Sequence, residues 1–208
     1  MALRAIQISS TPDQLRQIAD AVNASPVLDA QLERLVAAGR LIAIVVQSAP
    51  MRPFGARVDG LKMIFSAEFL GAQKGNRLFD VVYPDDILPN NTVFALGHLA
   101  YHLEAPPIDP RNPQAYVLRK LVEEAYAFAQ GWNDVVDAAT RQNGGHQLSK
   151  RQVAQLLMNM RYRFAFLTAI QQKPQKLELS DDGRVEVNSA NMSAIATALA
   201  NSKITDIE

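Results

Sequence analysis

The chain has 208 residues, 48% of them apolar and 20% charged, with 21 basic against 21 acidic side chains, three histidines and no cysteine. A chain of this length buries a sizeable core, and its balanced charge argues against duplex nucleic acid or an anionic membrane as a bulk electrostatic partner. Without cysteine there is no disulfide, no thiolate metal site and no thiol nucleophile, so any metal falls to His, Asp or Glu.

The opening MALRAIQISSTPDQ lacks the apolar core and small-residue cleavage site of a secretory signal. No stretch approaches the length of a membrane span; Leu41 to Val46 is far too short. The expectation is a cytoplasmic protein, with export by a signal-independent route left open.

Ser10 or Thr11 caps a first helix with Pro12 in its first turn and Leu15, Ile18, Ala19 and Val22 on one face. Ser25 caps a second, with Leu28, Leu32, Leu35 and Val36 inward and Gly39 as the stop. The β-branched run Leu41 to Val46 reads as a buried strand, residues 49–60 as a Pro/Gly-rich loop, Leu61 to Phe65 as a second strand and Leu78 to Tyr83 as a third. After the turn-rich YPDDILPNN, Asn91 or Thr92 opens a helix that carries His98 and His102 and closes at Pro106-Pro107. A long helix then runs from about Gln114 to Arg141, interrupted at Gly131, and Ser149 caps another that runs past Leu167. Lys176 to Leu179 and Arg184 to Val187 alternate around Ser180-Asp-Asp-Gly183 as a β-hairpin, and Asn188 or Ser189 caps a terminal helix. Helices, a small sheet, then mostly helices make an α+β fold. The organisation expected is an N-terminal helical segment over 1–40, a core over 41–175, and a hairpin with terminal helix over 176–208 appended to the same domain.

His98 and His102 lie four apart on a helix, so both imidazoles leave one face about a turn from each other. That spacing lets two ring nitrogens reach one tetrahedral ion, and imidazole suits zinc. A third ligand is commonly a carboxylate from another helix. Glu123-Glu124 lie on the next predicted helix, brought alongside by the Pro-rich connector, with Glu124 or its neighbour Glu123 as that ligand.

The segment Gly97-His-Leu-Ala-Tyr-His102, preceded by a short strand region and followed by Glu-Glu-Ala on another helix, resembles the active-site core of the zincin metallopeptidases, in the gluzincin branch, over roughly Leu61 to Gln130. The resemblance implies a zincin-like α+β fold and zinc held by His98, His102 and Glu124, with Glu123 as the one-residue alternative. It also implies that Leu61 to Phe65 is the edge strand along which substrate lies. The family's motif is HExxH, and Leu99 stands where the family has the glutamate that takes the proton from zinc-bound water. Loss of a general base typically costs about 10²–10⁴-fold, and Glu104 lies about 200° around the helix from His102. The function expected is therefore a metallopeptidase-like protein, catalytically impaired, that binds a polypeptide partner through the former substrate groove. Two alternatives stand beside it: an active zinc hydrolase with a non-standard base, and a metal-free interaction or effector-like domain whose histidines are held by backbone or carboxylate partners.

Other residues carry plainer expectations. Glu123 and Glu124 have Arg119 and Lys120 at helical ion-pair spacing and would otherwise form a solvated face. His146 belongs to an exposed glycine loop, and Arg161-Tyr-Arg-Phe164 to core packing with flanking arginines. Tyr101, Tyr126 and Trp132 read as core or interface, Asp85-Asp86 alone makes no cation site, and Asp181-Asp182 belong to a turn.

Overall fold

The computed structural model describes residues 2–49, 55–71, 88–160, 163–172 and 176–201. The expected strand Leu78 to Tyr83, Asp85-Asp86, and Arg161 with Tyr162 lie outside these residues. The architecture is α+β.

After a 3-10 turn over Ala2–Ala5, strand β1 covers Gln7–Ser9. Helix α1, Pro12–Ala24, is capped by Thr11, whose hydroxyl accepts from the Gln14 amide while the Gln14 side chain accepts from the Thr11 amide. Helix α2, Pro26–Ala37, is capped by Ser25, which also donates to Asp137 at 2.9 Å and so ties the α1–α2 corner to a distant helix. Strands β2, Ala43–Gln47, β3, Ala56–Asp59, and β4, Lys62–Ser66, complete a sheet of order β1-β2-β4-β3. β1, β2 and β4 run parallel, and β3 pairs antiparallel with β4.

That order corrects one expectation. The strand read at Leu61 to Phe65 is interior, flanked by β2 and β3, and the edge belongs to β3, in a stretch read as loop. Burial agrees, since Met63, Ile64 and Phe65 are all enclosed whereas β3 alternates.

The short helix α3 covers Ala67–Gly71, and the layer that matters for function is α4, Leu88–Glu104, against α5, Pro113–Gln142. Residue pairs across them fall in opposite order, Phe94 beside Phe128 and His102 beside Glu123, so the two are antiparallel. α4 begins before Asn91 and Thr92, which lie inside its first turns instead of capping it; Thr92 is buried there. α5 runs unbroken through Gly131, contrary to the interruption expected from glycine's poor helix propensity. The reason is packing. A Cβ on Gly131 would stand 2.6 Å from the Phe94 carbonyl oxygen, and one on Gly97 would stand 2.0 Å from Asp134 Oδ2, so the paired glycines let the helices approach closely.

Helix α6 spans Lys150–Asn159 behind a Ser149 capping box and ends at Met160 in extended backbone; α7, Arg163–Gln171, is separate, so the single helix expected past Leu167 is two. The hairpin expected at 176–187 reduces to one antiparallel bridge, Leu179 with Val185. Its turn is real, with Gly183 at φ 84°. Side-chain amides replace the missing strand pairing: Asn133 donates to the Val185 carbonyl and accepts from its amide, and Asn191 does the same for Glu178. Helix α8, Ser189–Asn201, packs on α5 and α7. One continuous cluster of buried apolar side chains runs from Ile18 to Leu199, with α4 at its centre.

Candidate metal centre

His98 and His102 leave the face of α4 that meets α5, and α5 answers with two adjacent carboxylates. His98 Nε2 and His102 Nε2 point at each other across 3.1 Å. Glu124 straddles them, Oε2 at 3.2 Å from His98 Nε2 and Oε1 at 3.2 Å from His102 Nε2. Glu123 takes the other side of His102, with Oε1 2.6 Å from Nδ1, and is itself 3.3 Å from Lys120 Nζ.

One ligand atom from each of His98, His102 and Glu124 lies within 4.8 Å of the others, so this group can hold a metal ion. Zinc bonds of about 2.0–2.2 Å in a tetrahedron put neighbouring ligand atoms roughly 3.3 Å apart, close to the Nε2 separation and to each His–Glu contact. Glu123 occupies the place of an outer carboxylate that fixes the tautomer and orientation of a ligating histidine. Of the two adjacent glutamates, Glu124 is the one that joins the group of three, and Glu123 contacts His102 from the other side.

The surroundings are apolar on one side and open on the other. His98 is 7% exposed, lies over Phe94 at a centroid distance of 5.8 Å and meets Phe128 edge-on at 5.2 Å. Glu124 keeps some access to solvent, its side chain 21% exposed. Burial holds the His98 pKa below its ordinary value despite Glu124. For His102 burial also pulls downward, but hydrogen bonds to Glu123 and Glu124 outweigh it and lift the imidazole to about 9. Burial alone would raise both carboxyls; the His102 hydrogen bond reverses this for Glu123, and both histidines reverse it for Glu124.

Neither glutamate lies on a solvated face, and the cation beside Glu123 is Lys120, three residues back, instead of Arg119. Leu99 is enclosed in the core at 3% exposure. Glu104 faces away from the cluster, bonded to Gln31 and 3.6 Å from Arg34. His146 sits exposed in its loop, and Asp182 bonds to Ser180 and Arg184 within its turn.

No family model, curated protein or solved structure matches this chain.

Two features of the site were not foreseen. Tyr101 and Tyr126 stack at 5.8 Å with their rings 5° from parallel, walling the cluster beside His102. Asp134, fully buried one turn along α5 from Gln130, accepts from the Gln130 amide at 2.9 Å through Oδ1, while Oδ2 rests against Gly97. Burial pushes its pKa up to about 7. The local signal for Asp134 was its spacing on the apolar face between Gly131 and Val135, which places an acid where only apolar side chains are expected. Among the described residues no helix is long and apolar enough to cross a membrane.

Proposed function

We propose that the protein is a zincin-like, metallopeptidase-like protein in which His98, His102 and Glu124 hold zinc, and that it binds a polypeptide without cleaving it efficiently. The observation that carries this reading is the convergence of two Nε2 atoms at 3.1 Å under one carboxylate. Zinc bound there would act as a Lewis acid toward a carbonyl or carboxylate oxygen. The chain's own residues do the rest. Glu123 holds the Nδ1 proton of His102, which directs Nε2 inward, and Phe94 and Phe128 keep water from the His98 side. Leu99 supplies no proton acceptor where the zincin motif has one, which favours binding over turnover. A cytoplasmic setting, or delivery by a signal-independent route, belongs to the same reading.

Metal analysis of protein purified without an immobilised-metal column tests it. One zinc per chain, lost in His98→Ala, is the expected result; metal-free protein whose melting is indifferent to added zinc and to chelator overturns it. Chelator-sensitive cleavage of a peptide library by the wild type would replace the impaired-enzyme reading with that of a working hydrolase.

One observation favours a second reading. His102 has a carboxylate at each ring nitrogen, Glu123 at Nδ1 and Glu124 at Nε2, an arrangement that favours the imidazolium, and a proton on Nε2 would close the cluster where the ion would sit. The domain would then be a metal-free interaction module, and the zinc titration distinguishes the two.

A further inference from the structure

Beside the cluster, where α4 ends and α5 begins, lies a cleft of about 380 Å³. Tyr101 and Tyr126 form one wall as a parallel stack, the turn Pro106 to Ile108 the second, and Leu118 with Val122, one helical turn apart, the third. Leu118 is 65% exposed and Val122 46%, beside Val117 at 47%. Isolated apolar side chains at a surface need no explanation, but Leu118 and Val122 line one concavity whose remaining lining is Ala105 and two charged groups, Arg119 and Glu123.

The charges are unequal in what they have left to give. Glu123 is committed to His102 and Lys120. Arg119 is exposed and makes no ion pair with any described residue; Asp109, whose carboxyl it helps only slightly to hold low, is bound by Arg111 through contacts of 2.7–3.0 Å. An apolar cleft with a flat aromatic wall and an uncommitted guanidinium at its rim matches an apolar body bearing an adjacent anion.

We propose that this cleft binds one apolar or aromatic residue of a polypeptide, its side chain against the Tyr101–Tyr126 stack and an adjacent carboxylate at Arg119. The proposal rests on the polypeptide-binding reading of the neighbouring cluster and names the residue class that would be recognised. Because Glu123 belongs to both, an occupant of the cleft lies next to the carboxylate that orients His102. The carboxylate has two possible sources, a chain terminus or an acidic side chain.

Full-length protein, as purified and after chelator treatment, is titrated by calorimetry with acetyl-Ala-Phe as free acid and as amide, acetyl-Ala-Phe-Asp-amide, and acetyl-Ala-Ala, with methyl resonances of Ile108 and Leu118 as the local readout. The phenylalanine acid is expected to bind about tenfold tighter than the alanine peptide. Arg119→Ala should erase the preference for acid over amide, and Leu118→Asp should weaken the phenylalanine peptide about tenfold with melting little changed, since Leu118 is mostly exposed. Tight binding of the Asp-amide peptide assigns the anion to a side chain, and binding of the free acid alone assigns it to a terminus; both support the cleft. Chelated protein should still bind, since the cleft includes none of the three candidate metal ligands, so loss of the metal reading leaves this one standing. Equal affinity for phenylalanine and alanine peptides, or binding that survives Leu118→Asp unchanged, overturns it.

Discussion

Two neighbouring stretches of the α4–α5 crossing solve opposite problems. At His98, His102, Glu123 and Glu124, four ionisable groups meet and all are partnered; His102 and both carboxylates are shifted in the direction that preserves opposite charge, while burial holds His98 lowered. Beside them, at Gly97, Gly131 and Asp134, side chains are absent or lack an opposite charge: two glycines let backbone meet backbone, and one carboxyl, bonded only to the Gln130 amide, is enclosed with burial pushing it toward neutrality. The difference teaches that the second stretch sets the spacing which the first requires. Imidazoles on α4 reach carboxylates on α5 at hydrogen-bond distance because the helices touch where neither has a Cβ.

The largest effect should come from spoiling that contact. Gly131→Ala, normally a gain of about 1 kcal/mol in a helix, is expected to cost about 3 kcal/mol in urea unfolding, because the new methyl meets the Phe94 carbonyl, which cannot yield without moving α4. Zinc stoichiometry should fall with it. A stabilised Gly131→Ala variant with the cluster unchanged would break the comparison.

Next in size is the solitary acid. Asp134 has a folded-state pKa near 7 against 3.8 in the open chain, so the folded state holds the extra proton between those values and stability falls as pH rises through that window. The slope is about 1.4 kcal/mol per pH unit while it lasts. Glu123 and Glu124, lowered instead, have delivered their full contribution above the ordinary carboxylate range, and His102, lifted to about 9, loses its contribution only as pH climbs from 6.5 past 9. Asp134→Asn is therefore expected to flatten the profile between pH 4 and 6.5 and to leave the variant more stable than the wild type at pH 8. Chemical denaturation at pH 5 and pH 8 measures both.

A smaller change separates orientation from ligation. Glu123→Gln should weaken zinc affinity about tenfold while leaving one ion per chain, whereas Glu124→Gln should remove the ion, as competition with a chromogenic chelator would read. Equal losses from the two would erase the distinction between them. Smallest is Lys120→Met. Its contact with Glu123 is 3.3 Å long and partly solvated, so thermal melting should register less than about 1 kcal/mol.

How much of this could be read from the residues follows from the range of the forces involved. The caps Ser25 and Ser149 were legible, and Thr11 to within its neighbour Ser10, because a hydroxyl reaches only its own next turn. The pairing of His98 with His102 was legible for the same reason. β1 and β3 were not: over three and four residues an alternation is too short to stand out from loop, and they become strands only because β2 and β4 offer edges. Gly131 misled because propensity is local and the α4 backbone that rewards the glycine is not. The choice between Glu123 and Glu124 needed the rotation of α5 against α4, where one residue is a turn of about 100°.

The indole of Trp132, the only tryptophan in the chain, is wholly buried and donates to the Gly183 carbonyl at 2.8 Å, with the Phe166 ring 5.2 Å away. Its emission is thereby a built-in optical gauge of whether the 180–185 turn is docked on α5. Because Trp132 adjoins Gly131, the same signal senses the helix on which Glu123 and Glu124 are carried, so a shift in wavelength on adding zinc or peptide would report strain passing along α5 without any label.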